Sequence, residues 1–261
     1  MELAAALQQA RVYDLAQPYF VGMPHFPTHP PFLFSLTKKH GDFVGPDGMS
    51  SAADAMTLGG HTGTHMDALN HFSCGGMLYG DIPVENVQTY ARGVLQHSIH
   101  TVKPILRRGV LLDIATHQKL EALPEEFVIT PEHLDEAVRI QKVEIHSGDV
   151  VLLRTGWARY FDDAKRFVSE THGPGPLIEG ARWLSDRKVY AAGSDTIAFE
   201  KVPSAAMPVH VHLLVKSGIH IIEVLNLEEL AQDGIYTFTF IAAPLKIRGG
   251  TGSPVRPLAI V

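Results

Sequence analysis

The stretch Gly109-Val110-Leu111-Leu112-Asp113-Ile114 is an apolar run interrupted by one acidic residue. Three further runs rich in strand-forming residues follow it, at 149–154, 188–192 and 236–247. Each run is bounded by Gly, Pro, Asp or Ser, which is typical of buried strands. These four runs therefore predict the principal strands of a sheet.

Two helices are predicted between these strands. Thr130 is a good N-cap residue, Pro131 suits the first helical position, and Glu132 places an acid in the first turn. Apolar residues then recur with helical spacing over 134–140. A second helix is predicted over 178–184. Strands that alternate with helices predict an α/β protein, but the long run near the C-terminus argues against a purely parallel sheet.

Composition excludes several classes of function. The chain has 261 residues with 22 basic and 28 acidic side chains, a net charge of −6, so a concentrated basic face for nucleic acid is not expected. The sequence contains no apolar stretch of ~20 residues, so it does not predict a membrane span. The only cysteine, Cys74, excludes an intramolecular disulfide and is predicted to be buried. The first six residues do not resemble a secretory signal, so we expect a soluble protein of the cytoplasm.

The most informative segment is His61-Thr62-Gly63-Thr64-His65-Met66-Asp67-Ala68-Leu69-Asn70-His71. Imidazole and carboxylate are standard ligands of zinc and suit other first-row metals. On a helix, Asp67 would lie ~120° or more from His61 and His65. On an extended strand, His61 and His65 would stand about 13 Å apart. A shared metal ion therefore requires the segment to curl, and the glycines at 60 and 63 allow it.

The same segment resembles the signature of the cyclase family of metal-dependent hydrolases, which includes kynurenine formamidases and isatin hydrolases. Other segments resemble the family in the family's order: Leu78-Tyr79-Gly80, Arg154-Thr155-Gly156-Trp157, Gly193-Ser194-Asp195-Thr196, Gly218-Ile219-His220-Ile221-Ile222-Glu223 and Gly252-Ser253-Pro254-Val255-Arg256. The resemblance implies a single domain over residues 1–261 with an α/β fold of the swivelling β/β/α type, in which helices flank mixed sheets. It also implies a homodimer or homotetramer.

By this resemblance His61, His65 and Asp67 bind a catalytic divalent metal ion, Mn²⁺ or Zn²⁺. His71 is the implied proton-handling residue beside it. The chemistry agrees, because three protein ligands leave one position open for water. A divalent metal lowers the pKa of such a water, and a nearby histidine moves its proton.

A second group of candidate residues lies in the C-terminal half. The resemblance implies one active-site histidine here, and His210 is favoured, with His212 as the alternative. Glu223 follows within the apolar stretch 219–225, where an unpaired charge is costly. We therefore expect Glu223 to have a partner or to bind metal, as the corresponding pair does in kynurenine formamidases. His220 is predicted to be a structural, surface-facing strand residue.

Other residues have two interpretations each. Asp195 is either a carboxylate at the edge of the site or a turn residue. Arg154 either anchors an anionic product or forms a buried ion pair. Five aromatic residues are candidates for lining a substrate pocket or for packing: Tyr19, Phe20, Phe26, Phe32 and Tyr79.

The sequence predicts a metal-dependent enzyme that hydrolyses a C–N amide bond in a small aromatic or cyclic molecule. Asp67 and His71 are separated by Ala-Leu-Asn, without the proline typical of kynurenine formamidases, so ring opening of an isatin-like substrate is favoured. The alternatives are an arylformamidase acting on N-formylkynurenine and a lactone hydrolase with the same site. A metal- or ligand-binding protein without turnover is the remaining possibility.

Overall fold

The structure is a computed structural model that describes Ala5 and residues 8–261. Its strands are β1 Val12–Asp14, β2 Leu33–Lys38, β3 Ala53–Thr57, β4 His65–Asp67, β5 Met77–Leu78, β6 Ile82–Pro83, β7 Gln88–Thr89, β8 Gly93–Val94, β9 Ile105–Asp113, β10 Val128–Ile129, β11 Val150–Arg154, β12 Gly175–Pro176, β13 Ala191–Ser194, β14 His220–Glu223, β15 Thr237–Ala242, β16 Gly252–Pro254 and β17 Leu258–Ile260. The helices that we label are α1 Ile114–His117, α2 Pro131–Gln141, α3 Ala164–Val168, α4 Ile178–Asp186, α5 Pro208–His210 and α6 Glu228–Gln232.

Nine of these strands form one large sheet, in the order β1-β17-β15-β9-β11-β13-β14-β4-β16. The four central strands, from β9 to β14, run parallel to one another. The strands on both sides of them pair antiparallel. The mixed α/β fold that the sequence predicts is therefore confirmed, and β15, which lies in the predicted C-terminal run, pairs antiparallel with β9.

Both faces of the sheet are buried at its central strands. Alternate residues of β9 divide between two apolar clusters: Val110 and Leu112 belong to one, and Leu111 to the other. Helices α2 and α4 cover the first face through buried residues such as Leu134 and Leu184. Side chains alternate between the faces of a strand, so a strand covered on both sides reads as the continuous apolar run seen in the sequence.

The predicted elements are present, with shifted ends. Helix α2 begins after Thr130, whose backbone N donates to His133 Nδ1 at 3.1 Å. The run predicted to begin at residue 188 becomes a strand only at Ala191, because Lys188 has a φ of +53° in the turn after α4. Strand β15 ends at Ala242, two residues before Pro244, which has no N–H for a sheet.

Within the described part of the chain, none of the helices combines the length and the apolar character that a membrane crossing needs.

Candidate metal centre

Strand β4 carries two of the candidate ligands, His65 and Asp67, on one face. It pairs antiparallel with β14, and the register sets Glu223 opposite His65. Immediately before β4, Gly63 adopts a φ of +64°, and a Cβ at this position would lie 2.7 Å from the Tyr19 ring. Glycine is needed there both for the backbone angle and for the space. This turn brings His61 back beside Asp67, which is the curl that the spacing required.

The first group of candidate ligands is His61, His65 and Asp67. The His61 Nδ1 lies 2.8 Å from Asp67 Oδ1, and the His65 Nε2 lies 3.5 Å from the same oxygen. One ligand atom from each residue falls within 4.8 Å of the others. His65 and Asp67 are buried and His61 is partly buried. The structure thus brings together the three metal-binding residues that the sequence predicted.

A second group consists of Asp67, His210 and Glu223, all buried. The His210 Nε2 lies 3.2 Å from Glu223 Oε1 and 3.9 Å from Asp67 Oδ2. The other Glu223 oxygen, Oε2, lies 3.4 Å from the His65 Nε2. Asp67 therefore belongs to both groups, with one carboxylate oxygen facing each.

Outer hydrogen bonds set the orientation of two of the imidazoles. The His65 Nδ1 donates to the Gly63 carbonyl at 2.8 Å. The His210 Nδ1 donates to Glu200 Oε1 at 2.7 Å. Because an oxygen holds each Nδ1, each Nε2 faces the carboxylates and is the atom available to a proton or to a metal ion. This arrangement, with one ring nitrogen held by an oxygen and the other facing the ligand space, is typical of metal-binding histidines.

The cluster fits a divalent cation. The imidazole Nε2 atoms and the carboxylate oxygens together attract a positive charge into the space between them, and in the metal-free protein this charge is carried by protons on the imidazoles. The Asp67 Oδ2 is buried and accepts no hydrogen bond from any described residue, which is costly for a charged group without a cation. Burial by itself would lower the pKa of His65, yet Asp67 and Glu223 outweigh it and raise the pKa to about 10. The same balance, with Glu200 and Glu223 as the main acids, raises the pKa of His210 to about 10.

His71 lies beside this cluster without belonging to either ligand group. Its ring stacks on His61, with the centroids 3.9 Å apart. Burial is the main cause that lowers its pKa to about 3, and the neighbouring His61 and His210 lower it further. The ring is therefore neutral near pH 7. No side-chain hydrogen bond ties it to another described residue, so its ring nitrogens are open to a water molecule or a substrate.

The structure separates the two candidate histidines of the C-terminal half. Both lie in a helical segment, formed by α5 and the π-helical turn Val211–Ser217 that follows it. Residues two apart on a helix point in roughly opposite directions. His210 accordingly faces Glu223, whereas the His212 Nε2 lies 2.8 Å from Ser185 Oγ on α4.

Three residues near the cluster were not singled out from the sequence. Glu200 is fully buried and holds His210. Thr251 Oγ1 lies 2.9 Å from the His61 Nε2. The His29 ring lies 5.1 Å from that of His61 and 6.3 Å from that of His71. None of the three shows a spacing signal toward residues 61–71, because each reaches the cluster from a distant part of the chain.

The two residues with open interpretations prove structural. Arg154 Nη1 contacts Asp113 Oδ1 at 2.8 Å and its Nε contacts Glu228 at 2.9 Å, forming the buried ion pair. Asp195 accepts hydrogen bonds from Thr155 and from the backbone N–H groups of Gly156 and Trp157. It therefore fixes the loop after β11.

Two minor predictions were wrong. Cys74 is exposed rather than buried, because it lies in the surface turn that β5 closes. His220 is on a strand, as predicted, but it is buried with 9% of its surface exposed. The reason is that β4 pairs with β14, and the His220 Nδ1 donates to the Asp67 carbonyl at 2.9 Å.

The aromatic candidates divide by position. Phe26 contacts His29, with ring centroids 5.6 Å apart, and so lies near the cluster. The Tyr19 hydroxyl donates to the Thr62 carbonyl at 2.6 Å and so supports the backbone between His61 and His65. Phe20 and Phe32 pack in the same apolar cluster as Tyr19. Tyr79 contacts His97 instead, with ring centroids 5.8 Å apart.

The chain is similar to known proteins both in sequence and in fold. The Cyclase family model, described as "Putative cyclase", matches residues 13–201. An isatin hydrolase of Roseibium aggregatum is 30% identical over 223 residues, which cover 82% of this chain and 77% of that protein. A kynurenine formamidase of Bacillus thuringiensis is 25% identical over 246 residues, which cover 93% of this chain and 94% of that protein. A crystal structure described as a novel cyclase has a TM-score of 0.90 and 31% identity, covering 99% of this chain and 89% of that one.

Proposed function

This chain belongs to the cyclase family, and on that basis we propose that it is a metal-dependent hydrolase of small cyclic or aromatic amides, with ring opening of isatin as its reaction. The observation that carries this proposal is that Asp67 is shared by two groups of candidate ligand atoms and lies near a neutral His71 that makes no side-chain hydrogen bond to a described residue. A structural metal site does not require an unpaired imidazole beside it, whereas a hydrolase requires such a group to transfer protons.

His61, His65 and Asp67 would hold the metal ion, with Glu223 and His210 beside it. A bound divalent cation supplies a Lewis acid that polarises the amide carbonyl and lowers the pKa of the attacking water. His71 accepts the proton of that water on its neutral imidazole and passes it to the departing amide nitrogen. Glu200 keeps the His210 Nδ1 protonated, so that His210 presents only its Nε2 to the cluster.

Isatin is favoured as the substrate for two reasons. The isatin hydrolase relative is more similar to this chain than the kynurenine formamidase relative. The segment between Asp67 and His71 also lacks proline. Phe26 and Phe72 provide aromatic surface near the cluster, since the Phe72 ring lies 4.8 Å from that of His71.

A second candidate function, hydrolysis of N-formylkynurenine, is favoured by one observation. Asp67, His210 and Glu223 form a complete second group of candidate ligands, and the sequence resemblance associates such a pair of groups with kynurenine formamidases. Both substrates are amides that the same residues would process, so only turnover separates the two functions.

The metal ion is proposed to be Mn²⁺ or Zn²⁺. The donor set consists of imidazole nitrogens and carboxylate oxygens, without sulfur, and it suits either ion. Metal analysis of the purified protein and titration of the metal-free protein with each ion would identify it. We also propose a homodimer or homotetramer in the cytoplasm, and light scattering tests the assembly.

The deciding experiment is isatin ring opening followed by absorbance, with metal-free protein reconstituted in turn with Mn²⁺ and Zn²⁺. N-formylkynurenine is assayed in parallel, and His71→Ala is the control variant. Fast isatin turnover that His71→Ala abolishes supports the proposal. Turnover of N-formylkynurenine alone would select the second function. If neither amide is hydrolysed by the metal-loaded protein, the substrate class is wrong, and lactones are the next substrates.

A further inference from the structure

A cavity of about 560 Å³ lies next to strand β14, away from the residues of the metal centre. His220 and Leu69 line it, together with Lys103 and Arg107 from the segment that enters β9. None of the residues assigned to the reaction lines this cavity. Since residues three apart on a strand point to opposite faces, His220 and Glu223 lie on different sides of the sheet.

His220 gives the cavity a buried hydrogen-bond acceptor. Its Nδ1 carries the proton, because it donates to the Asp67 carbonyl at 2.9 Å. The Nε2 therefore presents a lone pair, and it has no hydrogen-bond partner in the described chain. The Tyr190 ring, 5.7 Å from that of His220, limits how far the imidazole can turn. A ligand with an N–H or O–H group would satisfy this nitrogen.

Two cations stand at the same cavity without carboxylate partners. Neither Lys103 nor Arg107 forms an ion pair with any acid that the structure describes, whereas the adjacent Arg108 pairs with Asp149 at 3.2 Å. The Arg107 guanidinium is held over the Tyr190 ring at 4.0 Å. No aspartate or glutamate lines the cavity, although the chain as a whole is acidic. These features favour an anionic ligand.

Apolar side chains form a further part of the lining, which favours an organic anion over an inorganic one. They are Leu69, Val102, Pro104, Ile105 and Leu106, and His97, Thr101 and Tyr190 complete the wall. Leu106 is 69% exposed, so a ligand would shield it from water. A pocket that combines apolar walls with a few fixed polar groups is the usual form of a small-molecule site.

We propose that this cavity binds a small organic carboxylate with an apolar body and one N–H or O–H donor. Arg107 and Lys103 bind the carboxylate, and the His220 Nε2 accepts the donor's hydrogen bond. Hydrolysis of the amide bond of isatin yields a molecule of this class, an aromatic amine whose ring also carries an α-keto carboxylate, and 2-aminobenzoate is a simple analogue of it. The site would then bind the reaction's own product, a step that rests on the proposed function.

The test is calorimetric titration of the metal-free full-length protein with 2-aminobenzoate. Measuring binding without metal or turnover separates this proposal from the hydrolase activity. We expect one site, with affinity reduced about tenfold in Arg107→Met and in Lys103→Met, because each loses a charged hydrogen bond. Arg139→Met is the matched control, since Arg139 is an exposed helical residue remote from the cavity, and its affinity should equal that of the unmodified protein.

Two ligand controls examine the chemistry. Benzoate, which lacks the donor, should bind more weakly than 2-aminobenzoate, and aniline, which lacks the carboxylate, should not bind. Equal affinity in Arg107→Met, Lys103→Met and Arg139→Met would overturn the proposal, as would the absence of binding at millimolar ligand. Binding lost in His71→Ala but kept in Arg107→Met would place the ligand at the metal centre and also overturn it. Inorganic phosphate displacing 2-aminobenzoate with higher affinity would reject the organic anion.

Discussion

The imidazole ring of His71 stacks on that of His61 with the centroids 3.9 Å apart and the planes inclined by 27°. His61 belongs to a group of candidate metal ligands, whereas His71 does not. The stacking therefore makes the orientation of the His71 ring depend on that of the candidate ligand His61. It also means that the two rings are separable by substitution, because His71 can be removed without removing a ligand atom.

His71→Ala is expected to lower kcat for isatin hydrolysis by about 10²–10⁴-fold, the usual contribution of a positioned acid or base. Metal content should stay the same, because the ligand atoms of the first group are retained. Steady-state kinetics and metal analysis on the same preparation check both statements. Unchanged turnover in the metal-loaded variant would show that His71 is not the proton-handling residue, whereas loss of the metal would show that His71 supports the ligand group.

The stability of the metal-free protein should depend on His71 as the pH falls. Its native pKa is lowered to about 3, whereas a histidine in an unfolded chain titrates near ~6.5. Between these values the unfolded chain binds the proton and the native state does not, so stability is lost as the pH falls. We expect about 1 kcal/mol of this loss between pH 6.5 and 5.5.

Urea unfolding of metal-free protein at both pH values measures this effect, with His71→Asn as the variant that does not titrate. The variant should lose about 1 kcal/mol less than the unmodified protein over the same interval. Equal losses in the two proteins would mean that His71 is protonated in the native state at pH 5.5.

Thr251 is expected to act on metal affinity through His61. Its Oγ1 lies 2.9 Å from the His61 Nε2, and such outer contacts contribute roughly 10–100-fold to metal binding. Thr251→Val keeps the shape but removes the oxygen, so affinity should fall by at least about tenfold. Thr251→Ser keeps the oxygen and should bind as the unmodified protein does. Competition with a chelator measures both, and equal losses in Val and Ser would point to packing instead.

His210 and His212 form a natural matched pair for mutagenesis. His210→Gln should lower turnover by about 10²-fold or more, because its Nε2 lies 3.2 Å from Glu223 Oε1 within the cluster. His212→Gln should leave turnover almost unchanged, because its Nε2 contacts Ser185 on α4. Similar effects of the two substitutions would show that the helical segment acts as a whole and not through His210.

The metal cluster shows how far sequence reasoning extends. Residues 61–71 have a local signal: the ligand types are close along the chain, and glycine permits the curl that brings them together. His210 and His212 could not be separated in this way. Their spacing places them on the same face of a strand but on opposite sides of a helix, and their segment proved helical.

The sequence by itself determined the mixed α/β class, the four main strands, the two longer helices and the identity of the first three candidate ligands. These follow from periodicity, caps and residue chemistry over short distances, where few conformations compete. Only the tertiary structure decided which distant groups complete the site. Glu223 faces His65 because β14 pairs with β4 in one register, and Thr251 reaches His61 from 190 residues away. Such contacts depend on the closure of long loops and on strand order, which no local pattern encodes.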